Sequence, residues 1–183
     1  MRAFIAIDLP KELDNKISNF QNQLKKTGTF EGSWTKEREF TLKFLGEINE
    51  TQVSEISKVL NQICNKTKKF ELELFGLGVF PSLNNIRVFW IGACKGDEAA
   101  KELQTSIDKE LGKIGFVREK RDYKNHLTLI RVKKFDKQKC KELLEKYSDK
   151  SFGKFTVSEI KLIKSKLTRE GPSYELIQGF RLA

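Results

Sequence analysis

The stretch TLIRVKKF, residues 128–135, closely follows the single histidine of the chain and repeats the pattern of TLKFLGEI, residues 41–48. Each stretch contains the alternating β-branched, aromatic and polar residues of a strand, and each is followed by an amphipathic helical pattern. A strand led by phenylalanine comes next, beginning at Phe70 and Phe155, 29 and 27 residues after the respective threonine. This near-repetition predicts the duplication of one supersecondary unit.

The remaining pattern supports the same organisation, because RAFIAI (2–7) resembles RVFWIG (87–92). Two duplicated units normally pack about a pseudo-twofold axis, so Thr41 and Thr128 are expected to face each other across one groove. The predicted strands and helices alternate without a linker, with turns at 81–85 and in TREGP. The strands are 2–8, 38–48, 70–80, 86–93, 123–132, 155–167 and 173–182, and the helices are 10–26, 50–66, 97–115 and 136–150.

The composition favours an anionic partner and disfavours metal chemistry. Thirty-five Lys and Arg against 25 Asp and Glu give a formal net charge of +10, which attracts polyanions, although a solvated Lys/Glu-rich surface of a thermophile fits equally well. Three scattered cysteines and one histidine assemble no ordinary zinc site, and no acidic cluster indicates another metal. Without a signal peptide or an apolar run of about 20 residues, the protein is expected in the cytoplasm, away from membranes.

His126 and Thr128 are the first candidate site residues. They lie two apart in a predicted strand, so both side chains project from one face. An imidazole transfers protons near neutral pH, and a hydroxyl donates a hydrogen bond to an anionic oxygen. The pair is therefore a candidate half-site for phosphoryl chemistry, whereas an isolated histidine on a strand is more often an ordinary surface residue.

Five blocks in order resemble the RNA 2',3'-cyclic phosphodiesterases, also called 2'-5' RNA ligases, of the two-histidine phosphoesterase superfamily. They are RAFIAID, TLKFLGE, GVFPSLNNIRVFW, NHLTLIRV and SKLTREGPSYEL. The resemblance implies an α+β fold of two pseudo-twofold-related lobes of antiparallel β-sheet, with helices outside and a central basic groove. Residues 1–183 then form a single bilobal phosphoesterase domain, in which each lobe contributes one motif strand.

The resemblance also implies a metal-independent hydrolase that needs no cofactor. In the family, one His-x-Thr-x motif from each lobe acts on a cyclic phosphate; the two imidazoles serve as general base and general acid, and the two threonines hold the non-bridging oxygens. The expected reaction is hydrolysis of a terminal 2',3'-cyclic phosphate of RNA to a 2'-phosphomonoester, with reverse 2'-5' ligation of tRNA halves. We expect the protein to act on RNA 3' ends as a monomer.

Three residues inherit catalytic roles from this resemblance. His126 is the proton-transfer group of the second lobe, and Thr128 and Thr41 are the phosphate donors. The first motif, however, lacks its histidine, because REF runs directly into Thr41, and the simplest alignment lacks two residues after Phe40. Either the natural protein has lost one catalytic group or the printed sequence lacks two residues, and the undrifted TLKFLGE favours the second origin.

A two-residue loss keeps strand parity and leaves Glu39 in the place of the missing imidazole. Glu39 can replace a general base if a desolvated site raises its pKa, but in a chain of net charge +10 that pKa is expected to be lowered, which makes the carboxyl a poor general acid. Turnover is then expected to fall by about 10²–10⁴ with binding retained. The alternative is a non-catalytic protein of the same fold that binds RNA ends or tRNA.

Three further residues are candidate substrate contacts. Arg131 stands where the family has a substrate-contacting arginine, but strict alternation places it on the wrong face unless a bulge re-aims it. Lys43 shares the face of Thr41 by parity, so it is expected to meet RNA phosphates, with a solvated lysine as the alternative. Tyr174 is a candidate for stacking on a terminal base, although core packing in the last strand explains it as well.

Overall fold

The computed structural model describes residues 1–169 and 171–183, and every predicted strand and helix has a counterpart there. The elements in chain order are β1 (Arg2–Asp8), α1 (Lys11–Lys26), β2 (Phe30–Trp34), β3 (Glu39–Glu47), α2 (Glu50–Cys64), β4 (Phe70–Ser82), β5 (Asn85–Ala93), α3 (Asp97–Lys113), β6 (Leu127–Phe135), α4 (Lys137–Lys146), β7 (Ser151–Val157), β8 (Glu159–Thr168) and β9 (Gly171–Arg181).

These strands form two antiparallel sheets. The four-stranded sheet has the order β3-β1-β8-β9, and the five-stranded sheet has the order β2-β6-β5-β4-β7. The motif strands β3 and β6 therefore belong to different sheets, and their Cα atoms approach within 8 Å. The architecture confirms the predicted α+β class with two antiparallel sheets.

The two sheets are not the two halves of the sequence. Strands β2 and β4 from the first half lie in the five-stranded sheet, whereas β8 and β9 from the second half complete the four-stranded sheet. One reason is the tight connection after β4: the strand continues through Ser82, which pairs with Asn85, so the predicted turn at 81–85 shortens to two residues. The predicted strand 155–167 is correspondingly two strands, one in each sheet.

Two other boundaries differ from the predictions. Strand β2, FEGSW, was not predicted, because five residues containing an interior glycine carry little strand signal. The strand predicted at 123–132 begins only at Leu127, so His126 immediately precedes it. The predicted turn TREGP includes Glu170, which lies outside the described residues; Thr168 and Gly171 on either side are paired.

A continuous apolar core lies between the helices and the inner faces of both sheets. The apolar face of α1 is part of it, and Leu13, Ile17, Phe20 and Leu24 are all buried. A small second cluster, consisting of Phe4, Ala6 and Ile163 with Tyr174 against them, forms separately from this core. Because Phe4 and Ile5 alternate along β1, the second cluster marks the face of the four-stranded sheet that the main core leaves uncovered.

Among the helices of the described residues, none is long and apolar enough to cross a membrane.

Candidate active site

Both motif strands contain a β-bulge directly after their threonine. In β3, Thr41 pairs with Ala6 and Lys43 pairs with Ile5, which leaves Leu42 as the extra residue. In β6, Thr128 pairs with Trp90 and Ile130 pairs with Phe89, which leaves Leu129 extra. A bulge shifts the alternation of side chains by one residue, so the residue three places after each threonine returns to its face. That residue is Arg131 in β6 and Phe44 in β3.

The bulge in β6 places Arg131 on the same face as Thr128, which strict alternation of side chains does not allow. Leu129 and Ile130 are both buried, whereas Arg131 is exposed on the side of Thr128. The guanidinium interacts electrostatically with two residues of the opposite sheet, because its charge lowers the pKa of both Glu39 in β3 and Tyr174 in β9 against the effect of burial. The two faces that carry Thr128 and Thr41 therefore meet at Arg131, and we call the space between them the inter-sheet groove. Contact of Arg131 with substrate stays a prediction.

His126 lies at the end of the groove that belongs to the five-stranded sheet. Its Nδ1 is 2.8 Å from the carbonyl oxygen of Lys124, and since a carbonyl only accepts, Nδ1 carries the proton. In the neutral ring, Nε2 is then a free acceptor. Burial lowers the pKa of His126, and the nearby Lys124 charge lowers it further against the opposing effect of the carbonyl contact. The imidazole is therefore neutral and able to take a proton at pH 7.

Aromatic side chains hold this imidazole in place. The ring of Phe80 meets His126 edge to face at a centroid distance of 4.9 Å, and the Trp90 ring lies 6.1 Å away. Trp90 in turn covers Gly78, where any Cβ would collide with the indole ring. Trp90 itself is buried, so the indole is a rigid neighbour of the His126 imidazole.

On the opposite wall, Thr41 lies beside the second apolar cluster. Its strand partner Ala6 belongs to that cluster, and Tyr174 packs edge to face on Phe4 with ring centroids 4.9 Å apart. Tyr174 is only partly buried, so its ring is both a packing residue and a groove residue. Phe44, 76% exposed, extends this aromatic surface at a centroid distance of 6.1 Å from Phe4.

The expectation that Lys43 lies on the groove face is wrong. The bulge at Leu42 turns the Lys43 side chain into the protein, where its Nζ donates to Asp108 Oδ1 at 2.5 Å and to the carbonyl oxygen of Val117 at 2.8 Å. The side chains of Lys43 and Asp108 are 5% and 6% exposed. A lysine held this way does not present its ammonium group to the groove, and it corresponds to the buried Ile130 in the other motif strand.

The expectation of a lowered pKa for Glu39 is also wrong. The pKa of this carboxyl is raised to about 8. Burial is the largest cause, and repulsion from the carboxylates of Asp8 and Glu37 adds to it. Arg131 and Arg38 act in the opposite direction without prevailing. The surface lysines that give the chain its net charge are screened by solvent, so local burial decides the pKa.

The backbone before Glu39 is fastened to the second motif strand. Thr35 Oγ1 donates to the carbonyl oxygen of Thr128 at 2.7 Å, and the Thr35 N–H donates to that of Leu129 at 3.1 Å. Arg38, whose side chain is 4% exposed, ties the same loop to α1 through bonds to Asp14, Ser18 and Gln21. Glu39 lies four residues after Thr35, which is bonded to Thr128. The backbone of Glu39 is therefore at most about 14 Å from that of Thr35.

The groove holds the predicted residues His126, Thr128, Thr41, Arg131 and Tyr174 and excludes Lys43. The sequence interpretation missed Phe44. When TLKF is aligned with TLIR, Phe44 occupies the position in the first repeat that Arg131 occupies in the second. A cleft of about 800 Å³ between α2 and α3 lies elsewhere, and none of the predicted site residues lines it. Within the described part of the chain, no three His, Cys, Asp or Glu side chains are grouped as metal ligands.

This chain resembles known proteins both in sequence and in structure. A protein named RNA 2',3'-cyclic phosphodiesterase from Methanocaldococcus jannaschii is 41% identical over 182 residues, which cover 97% of this chain and 99% of that protein. The crystal structure of TT0787 of Thermus thermophilus superimposes with a TM-score of 0.81 at 22% identity, covering 100% of this chain and 98% of that one. The crystal structure of E. coli LigT complexed with 3'-AMP superimposes with a TM-score of 0.77 at 23% identity, covering 99% of this chain and 97% of that one.

These two structural likenesses establish the fold, and the sequence relationship establishes the family. The family model described as LigT like Phosphoesterase matches residues 7–90 and 92–174, one stretch in each half of the chain. This chain belongs to the LigT-like phosphoesterase family.

Proposed function

We propose that this protein is an RNA 2',3'-cyclic phosphodiesterase that hydrolyses a terminal cyclic phosphate to a 2'-phosphomonoester. The main support for the proposal is the pairing of the two motif strands, because the bulges in β3 and β6 leave Thr41, Thr128 and Arg131 on the faces that flank the inter-sheet groove, next to the imidazole of His126. The relative from Methanocaldococcus jannaschii carries the same activity in its name, and it covers nearly the whole chain. The proposed substrates are accordingly RNA 3' ends that carry a 2',3'-cyclic phosphate. In the reverse direction, the proposed reaction is 2'-5' ligation of tRNA halves.

The groove residues divide the chemistry between the two sheets. The Thr41 and Thr128 hydroxyls donate hydrogen bonds to the two non-bridging oxygens of the cyclic phosphate. Arg131, always charged, neutralises the phosphate between them. His126 accepts the proton of the attacking water at Nε2, because Nδ1 is committed to the Lys124 carbonyl. No step in this sequence needs a metal ion or a cofactor.

A terminal nucleotide also needs a surface for its base. Phe44 and Tyr174 flank Phe4 on the wall next to Thr41, and the exposed Phe44 ring offers a free face. Stacking of a base on an aromatic side chain contributes about 1–3 kcal/mol and tolerates any base. We assign the terminal base of the substrate to this wall. The complex of E. coli LigT with 3'-AMP is consistent with a groove of this fold accepting a mononucleotide.

Hydrolysis of adenosine 2',3'-cyclic phosphate tests the proposal. The protein should release adenosine 2'-phosphate, and His126→Gln should lower kcat by about 10²–10⁴ while affinity for adenosine 2'-phosphate changes little. Thr128→Val should lower kcat/KM, whereas the matched change Thr156→Val, at an exposed position of β7, should not. Absence of hydrolysis by the unmodified protein, with tight binding of RNA ends, would support the non-catalytic alternative instead.

A further inference from the structure

We propose that Glu39 is the second proton-transfer group of this active site and acts as the general acid, in a position that the family fills with an imidazole. The inference rests on the proposed function and adds a catalytic residue to it. It applies to the chain as printed, in which the first motif has no histidine.

The first support is the placement of Glu39 on its strand. Glu39 and Thr41 lie two residues apart in β3, before the bulge, so both project from the groove face. In β6 the corresponding spacing separates His126 and Thr128. The duplication therefore places Glu39 in the first lobe where His126 stands in the second, and a phosphate held by both threonines has one of these groups near each side.

The second support is the rigidity of this position. On one side, Glu39 pairs in register with Asp8 at the end of β1. On the other side, the adjoining Arg38 is buried and makes four hydrogen bonds, to Asp14, Ser18, Gln21 and the Thr35 carbonyl. The backbone that carries Glu39 is therefore held at two anchored points, which fixes the place from which its side chain enters the groove.

The third support is the charge around the carboxyl. Glu39 interacts with charged or titratable groups from every element around it: Asp8 of β1, whose carboxylate also accepts from Lys161 of β8, Glu37 and Arg38 of the loop, Arg131 of β6, and Tyr174 of β9. With a pKa of about 8, the carboxyl is mostly protonated at pH 7. His126 is neutral at the same pH, so each group holds the proton state that its role needs.

These states define a balanced reaction. Nε2 of His126 takes one proton from water as the water oxygen forms a bond to phosphorus. The bond between phosphorus and O3' breaks, and O3' receives the proton of the Glu39 carboxyl. The products are a 2'-phosphomonoester with a free 3'-hydroxyl, a protonated His126 and an ionised Glu39. Exchange with solvent returns the proton from His126 to water and restores the proton on Glu39.

The pH dependence of the unmodified protein provides a test that needs no variant. Because the general acid must be protonated, kcat/KM should fall as pH rises through about 8. Because the general base must be unprotonated, kcat/KM should also fall at acidic pH, below the ordinary histidine value of 6.5. In Glu39→Gln the alkaline limb near pH 8 should disappear while the acidic limb remains. An alkaline limb that is unchanged in Glu39→Gln would overturn the proposal.

The rate and the leaving group provide a second test. Glu39→Gln should lower kcat for adenosine 2',3'-cyclic phosphate by about 10²–10⁴ at pH 7. Replacing the bridging O3' of that substrate by sulfur should abolish most of this loss, because a thiolate leaves without a proton. Glu47→Gln, at the exposed end of the same strand, is the matched control and should keep the unmodified rate. An equal loss with both substrates would overturn the role of Glu39 as acid.

The outcomes separate this inference from the proposed function. If the unmodified protein hydrolyses the cyclic phosphate and His126→Gln is impaired while Glu39→Gln is not, the function stands and the Glu39 proposal falls. If the unmodified protein hydrolyses nothing, both fall. The melting temperature of Glu39→Gln and its affinity for adenosine 2'-phosphate, measured by calorimetry, distinguish a lost proton donor from a misfolded protein.

Discussion

Replacement of Lys43 by methionine should destabilise the protein without impairing catalysis. Methionine keeps an apolar stem of similar length but leaves the Asp108 carboxylate buried without its closest partner. Removing one member of a buried pair costs about 3–5 kcal/mol in unfolding free energy. Asp108 keeps contacts from Arg118 Nε at 3.2 Å and the Glu119 N–H at 3.0 Å, so the loss should lie near the lower end, about 3 kcal/mol.

For a domain of this size, a loss of about 3 kcal/mol corresponds to a fall of roughly 6–12 °C in melting temperature. Differential scanning calorimetry measures this fall. Lys109→Met is the control, because Lys109 is exposed and lies next to Asp108 in α3. The double variant Lys43→Met/Asp108→Leu should recover much of the loss, since a neutral pair leaves no buried charge. An unchanged melting temperature combined with a raised KM for a cyclic nucleotide would show that Lys43 lies in the groove, and would refute the reasoning.

Three further changes test individual parts of the account. Asp8→Asn removes a carboxylate that raises the pKa of Glu39, so the alkaline limb of the pH–rate profile should move from about 8 to lower pH; a shift to higher pH would contradict the charge assignment. Phe44→Ala should weaken nucleotide binding by about 1–3 kcal/mol in titration calorimetry, whereas Val117→Ala, equally exposed but beside the core-facing Lys43, should not. When His and Leu are inserted after Phe40, the cost of Glu39→Gln in steady-state assays should disappear, because an imidazole then occupies the groove position; a persisting cost would assign Glu39 another role.

Periodicity predicted the secondary structure well because most elements pair one apolar face with one polar face. The apolar positions of α1 are all buried, and β3 and β6 lie within a residue or a few residues of their predicted bounds. Periodicity does not specify which sheet a strand joins. The exchange of β4 and β8 between the sheets depends on connections whose length and direction are tertiary properties.

The candidate site was predictable wherever alternation continued unbroken and unpredictable after the bulges. His126, Thr128 and Thr41 precede the extra residues, so the bulges leave the faces predicted for them by strict alternation unchanged. Lys43 and Arg131 follow the extra residues, so each side chain lies on the face opposite to the one that strict alternation predicts. The pKa of Glu39 failed for a different reason: net charge is a property of the whole chain, whereas the proton affinity of a carboxyl depends on burial and its nearest neighbours.

The central claim, that threonines from two different sheets hold one phosphate, can be tested directly by a crystal structure with adenosine 2'-phosphate bound. Thr41 Oγ1 and Thr128 Oγ1 should each lie about 2.5–3.0 Å from a non-bridging oxygen of the same phosphate. A phosphate that contacts only one of them, or one bound in the cleft between α2 and α3, would contradict the account.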